Sequence, residues 1–223
     1  MRHNNRPYYR CILFDLDDTL YPREAGLMNA IYERMLLYMV QKVGIPADDA
    51  PLKRRYFYQE YGTTLRGLVE EHRIDPLDFL EFVHNVNPAD FFGASPPLKR
   101  MLETISLRKV IFTNSDLAHC RRVLQVLDVQ AHFELIIDIK EINYLSKPHP
   151  LAYRRVLELL DLPGESCILV EDSARNLIPA KDLGMTTILI GDSGPSLAVD
   201  YAVPTIFHVE KILQNLLPDA LSR

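Results

Sequence analysis

The chain has 223 residues, 48% of them apolar, with 25 Lys and Arg against 30 Asp and Glu for a formal net charge of −5. This length and composition allow a full core with a substantial insertion, while the acidic balance, with no basic run longer than Lys53-Arg54-Arg55, argues against polymeric nucleic acid or an acidic membrane as partner. No apolar run approaches the ~18 residues of a spanning helix, Met1–Arg10 is polar and basic with no apolar stretch behind it, and Cys11, Cys120 and Cys167 read as free buried thiols, all of which points to a cytoplasmic protein.

The first predicted element is a short apolar strand, Cys11–Phe14, that runs into Asp15-Leu16-Asp17-Asp18-Thr19. Carboxylates crowded this closely repel one another unless a cation shares the site. Strand alternation sends Asp15 and Asp17 to one side and Leu16 back into packing, which outlines a hard-metal pocket at a strand end. The plainer alternative is a solvated turn capped by Asp18 or Thr19. The next interval has no strand-like run and reads as an inserted helical domain. Its first helix, about Glu24 to Val43, places Leu27, Ile31, Met35 and Met39 on one face before Gly44, and its methionines and tyrosines are assigned to the core. Further helices are predicted at Leu52–Tyr61, Thr64–His72 and Pro76–Asn85, before Ala94-Ser-Pro-Pro97 returns the chain to the core. The expected division is residues 1–20 and 98–223 for the core and 21–97 for the insertion.

Strand Lys109–Phe112 ends in Thr113-Asn114-Ser115, a hydroxyl and amide cluster that suits an anion at the start of the next helix or simply caps that helix, Asp116–Leu127. A weaker strand follows at Glu134–Ile137. In Ser146-Lys147-Pro148-His149-Pro150 the first proline biases Lys147 toward an extended backbone, leading into helix Pro150–Leu160. Strand Cys167–Val170 ends in Glu171-Asp172 and repeats the pattern of acids at a strand end, and strands at Thr186–Ile190 and Thr205–Phe207 complete the set. Continuous apolar strands alternating with helices predict an α/β fold with a doubly wound parallel sheet. Ligands of such sheets collect beyond the carboxyl ends of the strands, where Asp15, Thr113, Glu171 and Asp172 fall.

The order D-x-D-x-T, strand-terminal Thr, Lys-Pro and strand-terminal Glu-Asp resembles the haloacid dehalogenase superfamily of phosphohydrolases. The resemblance implies a Rossmann-like core with an inserted α-helical cap, Asp15 as nucleophile, Asp17 as general acid and base, and Thr113 and Lys147 as phosphate holders with Asn114 beside them. It implies Mg2+ as cofactor among Asp15, Asp17, Glu171 and Asp172, with contact of Glu171 direct or through water. The chemistry is coherent in itself. A carboxylate attacking a phosphomonoester brings two anions together, and Mg2+ and Lys147 offset that repulsion, while Asp17 protonates the leaving alkoxide and then deprotonates the hydrolytic water. An acid at position 17 resembles phosphatases and phosphomutases rather than ATP-driven pumps, and the metal pattern disfavours dehalogenation.

The segments Asp15–Pro22, Tyr56–Leu68 and Asn114–His119 are similar to the pyrimidine 5′-nucleotidase-like branch. This implies a small phosphorylated metabolite as partner, a nucleoside monophosphate such as UMP or CMP, with Tyr21, Tyr61, Arg66 and His119 as candidates to face it. Packing within the helical insertion is the competing role for Tyr21, Tyr61 and Arg66, and a solvated or capping imidazole is the competing state for His119. The alternative functions are a sugar-phosphate or phosphoglycolate phosphatase, a mutase similar to β-phosphoglucomutase, and a non-catalytic binding protein that keeps the fold and the metal.

Overall fold

The computed structural model describes residues 8–191 and 196–217. Most of the basic stretch Met1–Arg10 and the outer limits of the expected core, 1 and 223, lie outside the described residues.

Six parallel strands form one sheet in the order β3-β2-β1-β4-β5-β6: β1 (Cys11–Phe14), β2 (Arg108–Phe112), β3 (Leu135–Ile137), β4 (Cys167–Glu171), β5 (Thr186–Ile190) and β6 (Tyr201–Val203). Every residue of β1 and β4 is buried, as expected of strands covered by helices on both faces. β1 is central, with Phe14 level with Ile111 of β2 and with Val170 of β4. The winding reverses between β1 and β4. That switch point opens a crevice at the strand ends, and it is where Asp15 and the Glu171-Asp172 pair emerge.

Between β1 and the helix that leads into β2 come four helices: α1 (Leu27–Gln41), α2 (Ala50–Tyr61), α3 (Thr64–His72) and α4 (Pro76–Val83). Prolines in the first turn start α2 and α4, and the side chains of Thr63 and Asp75 cap α3 and α4 by accepting from the N–H groups of Arg66 and Leu77. The predicted first helix starts late, at Leu27, because Gly26 at φ +87° interrupts the chain after a 3-10 turn at Arg23–Ala25. Gly62, at φ +89°, ends α2, and a Cβ there would lie 2.9 Å from Cδ of Pro148, so the insertion approaches the Lys147 loop at this glycine. The Tyr38 hydroxyl donates to Asp78 (2.8 Å) and the Arg34 guanidinium to the Phe82 carbonyl (2.7 Å), which joins α1 to α4 and its end.

The remaining helices are α5 (Pro96–Thr104), α6 (Leu117–Val126), α7 (Pro150–Leu160), α8 (Ala174–Asp182) and α9 (Val209–Leu216). α5 begins just before the boundary expected at 97/98 and packs against core turns at Gln130–His132 and Ile206–His208. The strand expected at Thr205–Phe207 is instead part of the turn Ile206–His208, and the edge strand is Tyr201–Val203. Pro204 explains the difference, since it supplies no N–H to the ladder and ends the pairing. All three cysteines are free and buried. Among the described residues no helix is long and apolar enough to cross a membrane.

Candidate active site

Lys147 organises the switch-point crevice. Its side chain is 1% exposed, and its ammonium donates to Asp15 Oδ1 (2.6 Å), Glu171 Oε2 (2.7 Å) and the Phe112 carbonyl (2.9 Å), which ties the ends of β1, β2 and β4 together. The backbone of the lysine is clamped as well. Asn114 accepts from the Lys147 N–H (2.7 Å) and donates to its carbonyl (3.1 Å). Asn114, expected beside the phosphate, therefore spends its amide on the lysine loop. Thr19 donates to Asp15 Oδ2 (3.3 Å), while Thr113 Oγ accepts the Ser115 N–H (3.0 Å), which leaves the hydroxyl proton available at the end of β2.

Asp15, Glu171 and Asp172 bring carboxylate oxygens within 4.8 Å of one another. Burial, and then repulsion from Glu171, pushes Asp15 up to about 7 despite the ammonium beside it, and burial pushes Glu171 up to about 7 against the same ammonium. Asp172 is raised by burial and by Asp15. Lys147, which burial alone would lower, is raised by its two carboxylates. The group thus carries more negative charge than its neighbours balance, its donors are all hard oxygens, and the adjacent Asp18 Oδ1 is buried without a partner among the described residues. These residues fit a hard divalent cation. Both oxygens of Glu171 already accept hydrogen bonds, from Lys147 and from the Ser173 N–H (3.2 Å). Arg23, which no pattern in the sequence flagged, reaches in from the exposed side to Asp18 Oδ2 (3.2 Å) and Asp172 Oδ2 (2.8 Å).

Asp17 stands apart from the acidic group. Its Oδ1 accepts from Tyr21 Oη (2.7 Å) and pairs with His119 Nε2 (2.8 Å), and its Oδ2 accepts from Ser115 Oγ (2.6 Å). Burial raises its pKa, but His119, Ser115 and Tyr21 reverse that and hold it well below the usual carboxylate range. Its carboxylate, expected at the metal, is held by these three donors and is not part of the Asp15, Glu171 and Asp172 group. Tyr21 and His119, expected to face the substrate, instead stand around Asp17: the tyrosine stacks on Phe92 (4.5 Å between centroids) and the histidine is fully buried.

The sequence profile of the haloacid dehalogenase-like hydrolases matches residues 9–184. The chain belongs to this family. It is 23% identical over 199 residues to phosphate metabolism protein 8 of Saccharomyces cerevisiae, covering 82% of this chain but only 62% of that protein. It is 25% identical to the glyceraldehyde 3-phosphate phosphatase of Methanocaldococcus jannaschii, covering 93% of this chain and 98% of that one. The solved structure of a phosphatase of the same family from Thermococcus onnurineus superposes with a TM-score of 0.62 at 21% identity, over 92% of this chain and 97% of the other, a likeness of fold.

In this hydrolase a cavity of about 390 Å³ opens between the acids and the inserted helices. Its wall combines apolar side chains such as Met28, Met35 and Phe79 with Tyr32, Arg54 and Tyr58. Met28, Tyr32 and Met35 lie on one stripe of α1 that faces the cavity; the two methionines also pack against the core, to which Tyr38 and Met39 belong. Arg54 and Tyr58 share a face of α2 at i, i+4 spacing, and the Arg54 guanidinium lies over the Tyr32 ring (4.6 Å). Arg175 of α8 donates to the carbonyls of Tyr58 (2.6 Å) and Gln59 (2.9 Å), which seats α2 on the core. Tyr61 and Arg66, expected to face the substrate, sit elsewhere. Neither lines the cavity, because Tyr61 donates to Glu71 (3.1 Å) and Arg66 pairs with Glu70 (3.8 Å), acids of α3.

Proposed function

We propose that this hydrolase is a phosphomonoesterase that works through an aspartyl-phosphate, with Asp15 as nucleophile and Asp17 as general acid and base. The reading is carried by the contact of Lys147 with Asp15 across 132 positions of sequence, next to a second aspartate that has its own separate set of donors. Asp15 attacks phosphorus and the ester P–O bond breaks, while Asp17 gives its proton to the departing alkoxide. A water then attacks the same phosphorus, loses its proton to Asp17 and frees phosphate and the Asp15 carboxylate. Asp17 is ionised in the ligand-free geometry, and a phosphate dianion seated beside it raises its proton affinity, so the proton enters with the substrate. Lys147 and the Thr113 hydroxyl hold phosphoryl oxygens. Mg2+ is the proposed cofactor, held by the carboxylates of Asp15 and Asp172, with Glu171 behind them balancing Lys147. When bound it supplies Lewis-acid charge to the phosphoryl group.

Helices α1 to α4 act as a cap that shields the site from water and selects the leaving group. The favoured substrate is a nucleoside 5′-monophosphate. The cavity's apolar wall with two tyrosines suits a planar base, and Arg54 suits its carbonyl oxygens. A sugar phosphate is the second reading, favoured by the name of the archaeal relative. The test is hydrolysis of p-nitrophenyl phosphate with and without Mg2+ by wild type and Asp15→Asn, followed by a panel of phosphate esters. Activity that survives in Asp15→Asn overturns the mechanism. Rapid release from sugar phosphates with none from nucleotides overturns the substrate assignment.

A further inference from the structure

His84 follows the last residue of α4 and is 5% exposed, buried where the inserted helices meet the core. Its Nδ1 lies 2.5 Å from Oδ2 of Asp116, the N-cap of α6, and its carbonyl accepts from Arg122 Nη2 (2.7 Å). Burial, and then the neighbouring His119, lowers its pKa, and because Asp116 is held ionised, Nδ1–H is the donor in this contact. The anchored ring lies nearly parallel to the ring of His119, with centroids 4.4 Å apart and an interplanar angle of 21°. His119 in turn contacts Asp17 through Nε2, while its Nδ1 is buried with no partner among the described residues. A histidine that orients a carboxylate is ordinarily held by a hydrogen bond at its other nitrogen. Here that bond is missing, and the plane of the imidazole is set by what it stacks against.

We propose that His84 is a positioning residue for proton transfer: anchored on Asp116, its ring fixes the plane of His119 and so aims the Asp17 carboxyl at the leaving-group oxygen. The seating of the inserted helices is thereby tied to proton delivery, since α4 carries the plate and α6 the histidine it rests on. The inference rests on the phosphomonoesterase reading, and its test separates the two.

The test compares kcat/KM for p-nitrophenyl phosphate, whose nitrophenolate departs without a proton, with kcat/KM for whichever alkyl phosphate the wild type hydrolyses fastest. General acid catalysis contributes about 10²–10⁴-fold, and a misaimed acid loses part of it. In His84→Ala the alkyl ester is expected to lose about tenfold or more, with the loss in kcat, and the aryl ester less than about threefold. His84→Phe keeps the plate and restores the alkyl rate to within about threefold, whereas His84→Asn keeps a donor for Asp116 without the plate and does not. If the alanine variant fails to fold, the Phe and Asn pair carries the same comparison. Equal losses on both esters, a loss confined to KM, or rescue by Asn equal to that by Phe overturns the inference and leaves the phosphatase reading standing. A wild type inactive on both esters overturns the reading itself.

Discussion

Lys147→Met preserves side-chain volume and removes the cation that Asp15 and Glu171 share. Breaking a buried pair by deleting one partner costs about 3–5 kcal/mol, and the Phe112 carbonyl, which also loses its donor, adds about 1–3 kcal/mol. Proton uptake limits the total. Both carboxylates already stand at about 7 with the ammonium present, so without it they protonate sooner and escape part of the penalty. A net loss of about 4 kcal/mol at pH 8 is expected, which for a chain of this size lowers Tm by about 8–16 °C. The pH dependence has a definite sign. A carboxyl whose folded pKa is raised binds protons more readily in the folded state, so metal-free stability rises as pH falls through about 7 and levels off near the ordinary carboxylate range, about 4. The gap between variant and wild type therefore narrows from pH 8 to pH 5. Thermal unfolding by circular dichroism in EDTA measures it. A variant as stable as wild type at pH 8, or a gap that widens on acidification, refutes this account of the site.

Asp15→Asn removes a repelling anion and leaves Lys147 paired one to one with Glu171, so activity is expected to fall by on the order of a thousandfold or more while metal-free stability is retained or raised. A stability loss above about 2 kcal/mol contradicts that charge count. Mg2+ affinity is expected to weaken on acidification below about 7 because protons compete for Asp15, by up to about tenfold per pH unit for each proton displaced. Calorimetry in two buffers of different ionisation enthalpy reads both affinity and proton release, and a flat profile from pH 8 to about 5.5 contradicts the assignment of Asp15 as ligand. In α3, a Cβ on Gly67 would lie 2.4 Å from Cδ1 of Phe57, so Gly67→Ala costs about 1–3 kcal/mol of overpacking against about 1 kcal/mol of helix propensity gained. A raised melting temperature in that variant would show that α2 and α3 yield more easily than their contact implies.

The strands that end in Asp15, Thr113 and Glu171-Asp172 are legible along single segments, because a continuous apolar run marks a strand covered on both faces and a parallel sheet delivers ligands to strand ends. The insertion is equally legible from helical spacing and from the absence of any strand-like run, while the caps at Thr63 and Asp75 are seen only in the structure. Lys147 carried no local signal beyond a lysine before a proline, and its role entered only through the order of motifs along the chain. The choice of partners was decided by the tertiary structure. Asp17 meets Ser115 and His119 from 98 and 102 positions away, Asn114 turns to the lysine backbone, and Tyr32, Arg54 and Tyr58 line the cavity in place of Tyr61 and Arg66. The reason is range: strand and helix patterns are written in neighbours a few positions apart, whereas a polar side chain's hydrogen bonds are settled at about 3 Å by whichever distant donors packing brings within reach.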